Sequence, residues 1–207
     1  MSKQKNVIGE FLLTILFLLF IMWICFVFIA YISVYHAASQ IDQPTQQEYI
    51  RVHLYGSSSS PDGNTISASF SVVDTAGNEI AAIERSWSGN YLSVDFAEAS
   101  FKDKFFIFPL RIYGKERIMQ TNKDRHGGTD LEKYYNDNNQ CLLFGYGSSL
   151  YERQELYKIA RFATKKLLIV PPFGHITTYS VDLSECRNDA YYSIQVLSDG
   201  KIIVKEI

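Results

Sequence analysis

Four stretches of this chain carry residue types able to do chemistry. Gly145-Tyr146-Gly147-Ser148-Ser149 comes near the elbow that exposes a nucleophilic serine, but the serine is displaced by one and the closing glycine is missing. Ser149 with Glu152 instead spells a helix capping box, which accounts for the segment as a strand-to-helix turn. Asp124-Arg125-His126-Gly127-Gly128-Thr129-Asp130 places one imidazole and two carboxylates in one loop. Divalent ions accept such donors, but turns collect Asp and Gly for conformational reasons alone. His175 follows Pro171-Pro172-Phe173-Gly174. A histidine acts as a general base beside an acid or nucleophile, and its sequence neighbours supply neither. Cys186 with His126 or His175 would make a thiol–imidazole pair, without any local signature for one. No phosphate-binding loop, dinucleotide fingerprint, HExxH or paired CxxC occurs. The residues therefore predict no cofactor and no metal site. They favour a binding or assembly module over an enzyme, with an envelope hydrolase built on Ser148, Cys186 or a metal at His126 as the alternative.

Three cysteines are present. Cys25 lies in an apolar run and cannot meet the others. Cys141 and Cys186 share one domain and are a candidate disulfide outside the cytoplasm. The bridge would close a 45-residue loop, worth roughly 4 kcal/mol by chain entropy if unstrained. Two reduced, buried thiols are the other reading. Aromatics are in excess: 22 follow Tyr35, 12 of them tyrosines. Tyr134, Tyr135, Tyr191 and Tyr192 fall in or near loops and form a candidate interaction surface, against the plainer reading that they fill a β core.

The elements that must position these residues begin with Phe11–Tyr35, where 23 of 25 residues are apolar or aromatic, Thr14 and Ser33 being the exceptions. No Asp, Glu, Lys or Arg lies between Glu10 and Asp42. As a helix this run is roughly 38 Å long against a hydrocarbon core of about 30 Å. It reads as a transmembrane anchor through Phe11, Leu19, Trp23, Phe28, Tyr31 and Tyr35, the two tyrosines sitting where amphipathic rings favour the headgroup layer. Ala37 and Ser39 would suit a signal-peptide cleavage site, but the run is longer than a signal h-region of about 7–15 residues. Lys3 and Lys5 precede the run, and residues 36–50 hold no Lys or Arg. The positive-inside rule then puts residues 1–10 in the cytoplasm and the rest outside, in a single-pass protein of the cell (inner or plasma) membrane. The bilayer is the expected partner, together with another envelope or membrane protein.

Residues 36–48 read as a polar tether rich in Gln, and 49–207 as a β-rich extracytoplasmic domain. Alternating apolar positions predict strands over 50–55, 66–72, 80–87, 91–97, 105–113, 142–146, 176–181, 191–197 and 201–205, with 167–170 as a short buried type. The serine-rich stretch 56–64 reads as a loop, 66–97 as a three-strand meander, and Pro109 as the mark of an edge or a bulge. Thr129-Asp130-Leu131-Glu132 resembles a second capping box. One firm helix follows Ser149, with Leu156, Ile159, Ala160 and Ala163 at i, i+3, i+4 and i+7. The fold class is thus α+β and β-dominated: a single N-terminal transmembrane helix, then a mostly antiparallel β-rich globular domain with one or two helices. Outside the anchor and tail there are 18 basic and 21 acidic residues, without a basic stripe, so nucleic acid is not an expected partner.

Overall fold

The apolar run forms one continuous helix, α1 (Ser2–Gln40), in the computed structural model, which describes residues 2–42, 46–60, 63–102, 104–116, 128–164 and 176–207. The helix passes Tyr35 by five residues. The stretch expected to be a tether is therefore helical at its start, because Ala37, Ala38 and Ile41 are buried in the core. β1 (Gln47–Ser60), β2 (Gly63–Val73), β3 (Glu79–Ser88), β4 (Tyr91–Phe101) and β5 (Lys104–Lys115) follow. Next come the two-residue β6 (Thr129–Asp130), α2 (Glu132–Tyr135), the two-residue β7 (Asn136–Asp137) and β8 (Gln140–Cys141), a 3-10 turn (Leu142–Phe144) and α3 (Leu150–Ala163). β9 (Ile176–Asp182), β10 (Ala190–Val196) and β11 (Ile202–Glu206) end the chain. The molecule is one long apolar helix followed by a β-dominated α+β domain with antiparallel sheets.

The strands form a five-stranded sheet in the order β11-β10-β1-β2-β3 and a four-stranded sheet in the order β6-β5-β4-β9. Ile66, Ala68, Phe70 and Val72 of β2 face inward at alternate positions, as a half-buried strand requires. Across the sandwich, Tyr49 meets Phe96 edge to face at 6.5 Å, and within the five-stranded sheet Phe70 meets Trp87 at 5.5 Å.

Several elements differ from the sequence expectation. The serine stretch is strand, not loop: Ser57–Ser60 pair with Ile66–Gly63, and a bulge at Tyr55 re-aims them. Serine is weak in β propensity, but the zipping of the hairpin beyond Leu54 supplies its backbone partners. The expected meander divides, because β2 pairs with β3 while β4 joins the other sheet. The crossing is tight. A Cβ on Gly114 would stand 2.0 Å from the Ser88 carbonyl oxygen, so only glycine lets β5 pass the end of β3. Pro109 pairs with Phe96 beside a bulge at Leu110, and its carbonyl accepts the Tyr135 hydroxyl at 2.9 Å. The segment 142–146 is a 3-10 turn, not a strand. Thr129 is not a helix cap but a strand residue, and its hydroxyl accepts from Arg85 and Trp87. The Ser149 helix forms as expected, with both hydrogen bonds of its capping box present.

The pairing register also orients the domain. β1 starts at Gln47, near the end of α1, and Gln47 stands opposite Val196, while Ile50 stands opposite Val72. The turns after β2, β4 and β10 therefore lie at the helix-joined end, and the Ser60–Gly63, Ser88–Tyr91 and Asp182–Ala190 connections lie at the far end.

Candidate functional site

Three places gather side chains able to bind. The first is the junction of helix and domain. Val27, Val34, Ala37, Ala38 and Ile41 are buried, with Ala30 and Tyr31 partly so. That spacing is one face of a helix, and this face packs against α3, whose Ala160 and Ala163 are also buried. Small residues let two helices approach closely. Lys104, at the start of β5, closes the junction: its ammonium donates to the carbonyls of Ile41 (2.6 Å), Ala38 (3.3 Å) and Ser39 (3.4 Å). α1 has no basic residue in its own last turn, so Lys104 supplies the cation that the dipole and the open carbonyls call for.

The second place is the open side of the sandwich, where β9 and β11 are the outermost strands of their sheets among the described residues. Between them runs a groove of about 580 Å³ with Phe105, Val181, Ile202 and Ile203 as its apolar lining and Glu98, Tyr179, Ser180, Asp199 and Lys201 as polar groups. Glu98 accepts the Ser100 hydroxyl at 2.6 Å. Its hydrogen bond to Tyr179, with burial adding to it, holds that phenol above its ordinary range. Such a groove can hold an extended chain through edge-strand backbone groups and apolar side chains.

The third place is a polar cluster on the opposite face of the smaller sheet, drawn from β4, β5 and β9. Asp95 accepts from Ser180 at 2.6 Å and Tyr113 at 3.1 Å. Asp182 accepts from Ser93 at 2.7 Å and from Lys115 at 2.8 Å. Burial alone would lower the Lys115 ammonium, but the hydrogen bond and charge of Asp182 prevail and leave it raised. Lys115 is thus a cation at neutral pH, without a free base for catalysis, and the cluster ties three strands together. The sequence reading passed over these residues because they are scattered over 90 positions. Their trace was Ser93 and Asp95 set between apolar Leu92, Val94 and Phe96.

The residues singled out by sequence separate. Tyr191 is exposed and stacks on His53 at 4.0 Å and 5°, and Tyr134 is partly buried with Lys133 over its ring at 4.8 Å. Tyr135 and Tyr192 are buried, which removes them from the expected tyrosine surface. Adjacent strand residues face opposite sides, so Tyr192 points inward where Tyr191 points out, and its hydroxyl accepts the Arg187 amide at 2.7 Å. Ser148 donates to the Gly145 carbonyl at 2.7 Å, the bond of a turn. Cys25, Cys141 and Cys186 are all free thiols. Burial pushes Cys141 up to about 12 and Cys186 to about 11, so both are protonated at neutral pH and poor nucleophiles. His126, His175 and residues 167–170 lie outside the described residues, as does most of the 124–130 loop. Among the described residues no group of three His, Cys, Asp or Glu side chains gathers at metal-binding distance. Of the residues expected to anchor the chain, Phe11, Leu19, Trp23, Phe28 and Tyr35 are exposed and Tyr31 is partly buried.

Searches against family models, curated proteins and solved structures find no match to this chain.

Proposed function

We propose that the chain is a single-pass membrane protein whose uncleaved N-terminal helix holds a β-rich binding or assembly module on the extracytoplasmic face of the cell membrane. The observation that carries this reading is the double character of α1. Its first part presents apolar side chains outward: 18 large hydrophobic residues between Phe11 and Tyr35 are exposed. Keeping them in water at about 1.5 kcal/mol each would cost more than about 25 kcal/mol, beyond the net stability of an ordinary domain. A bilayer removes that cost. Its last part belongs to the domain core. Cleavage after Ser39 would take away Val34, Ala37 and Ala38 and two of the carbonyls that Lys104 holds, so the junction supports a retained anchor over a signal peptide.

Lys3 and Lys5 favour a cytoplasmic N-terminus. The groove between β9 and β11 favours an extended segment of another envelope or membrane protein as partner. The test uses the full chain with a C-terminal reporter. The mature protein is expected to keep its N-terminus, stay in the membrane pellet after alkaline washing, and expose its C-terminal domain to protease added from outside. A soluble product that lacks the first 39 residues would overturn the reading.

A further inference from the structure

The stripe of α1 that packs on the domain begins at Val27, inside the apolar run that ends at Tyr35. The two overlap by nine residues, roughly 13 Å of helix. A hydrocarbon core of about 30 Å takes about 20 residues, and the headgroup layer on one side takes roughly 5–8 Å more. Counted from Phe11, the core ends near Ala30 and the headgroup layer near Tyr35. Whatever packs on this part of α1 therefore sits at the depth of the membrane surface, and α3 is the element that packs most extensively on α1.

The start of α3 has the surface chemistry that such a position calls for. Tyr146 is 77% exposed, Leu150 51% and Tyr151 50%. Outside α1, the other exposed large apolar residues of the described chain are Tyr179, Tyr191 and Ile207, which are scattered. Tyr146, Leu150 and Tyr151 lie within six positions, just before and in the first turn of one helix. The turn is fixed at the helix-joined end of the sandwich, because Thr75, in the turn after β2, donates its amide to the Leu143 carbonyl at 3.0 Å and its hydroxyl to the Phe144 carbonyl at 3.1 Å. The neighbouring Glu152 does not oppose a lipid contact. Its carboxylate is turned back on Ser149, accepting both the amide and the hydroxyl at 2.7 Å. Arg153 holds the Tyr146 and Ser148 carbonyls, which keeps the Tyr146 turn in place and adds a cation beside it.

We propose that Tyr146, Leu150 and Tyr151 form a second, shallow membrane contact, seated in the headgroup layer of the same bilayer that α1 crosses. Tyrosine rings and single apolar side chains favour that layer. Two points of attachment fix the tilt of the domain and aim the groove between β9 and β11, where a lone anchor would leave the domain to swing. This proposal rests on α1 spanning the membrane, and the test separates the two.

The full-length protein, with Cys25→Ala and Cys186→Ser, is spin-labelled one site at a time at Tyr146→Cys, Leu150→Cys and Tyr151→Cys. All three positions are exposed, so a label there leaves the core untouched. Phe20→Cys serves as the in-membrane reference and Ser58→Cys, at the far end, as the aqueous one. In phosphatidylcholine–phosphatidylglycerol vesicles, collision with oxygen is compared with collision with a water-soluble nickel chelate. The oxygen-to-nickel ratio at 146, 150 and 151 is expected to exceed that at 58 by about threefold or more and to fall short of that at 20, as interfacial positions do. A lipid-like label at 20 with labels at 146, 150 and 151 as wet as at 58 would overturn the second contact alone. A wet label at 20 would overturn the anchor and the contact together.

Discussion

Replacing Lys104 with Met tests the junction on which the placement of the domain depends. The side chain keeps most of its apolar length and loses the charge. One of its three bonds is short, 2.6 Å to Ile41, and two are long, 3.3 and 3.4 Å. A hydrogen bond from a charged donor contributes about 1.5–3 kcal/mol when partly buried, and a cation at a helix C-terminus about 0.3–1 kcal/mol more. Lys104 is itself half-buried, so solvent screens part of this, and a net loss of about 2 kcal/mol is expected. Each 1.4 kcal/mol is a factor of ten, so the population with the last turn of α1 detached should rise about thirtyfold. Hydrogen exchange of the amides from Val34 to Ile41, in detergent or nanodiscs, reads this directly. Faster exchange there, with β2 and β4 amides unchanged, is the expected result. Exchange within a factor of two of the parent would refute the idea that Lys104 holds the helix to the domain, and would return residues 36–48 to the role of a loose tether.

Gly114→Ala should destabilise the domain by about 3 kcal/mol, since overpacking against fixed backbone has no side chain to absorb it; a urea midpoint equal to that of the parent would contradict the tight crossing of β3 and β5. Ser149→Ala should cost about 1 kcal/mol through loss of the helix cap, while Ser148→Ala, deprived only of a turn bond, should cost less; the reverse order in urea melts would argue against the capping assignment. Alkali should unfold the domain. The Cys141 thiol is raised from 9.0 to about 12, so its contribution is whole below pH 9 and is lost as pH climbs towards 12, at up to about 1.4 kcal/mol per pH unit. Cys141→Ala should flatten that slope, and an unchanged slope between pH 9 and 12 would place Cys141 outside the core. At neutral pH a thiol reagent should label half-buried Cys186 slowly and Cys141 only on unfolding; a non-reduced mass two hydrogens light would instead indicate a Cys141–Cys186 bond.

The amino-acid order alone was enough for elements with a strong local cause. Helix α1 follows from 23 apolar residues in 25, α3 from Ser149, Glu152 and a helical apolar period, and β2 from strict alternation at Ile66, Ala68, Phe70 and Val72. What depended on tertiary pairing was hidden. Nothing local says that the strand after Ser88-Gly89-Asn90 leaves for the other sheet, or that a run of serines will be zipped into a hairpin. The fate of the tyrosines also turned on partners far away: Tyr135 is buried because the Pro109 carbonyl, 26 positions back, accepts its hydroxyl. The candidate sites show the same division. Composition marked the long apolar helix, since burial of apolar surface is additive along a helix. The collar of Lys104 on α1, the groove between β9 and β11 and the Asp95–Asp182 cluster join residues 63 to 105 positions apart or drawn from three strands. Their meaning is created by proximity, which only the folded chain supplies.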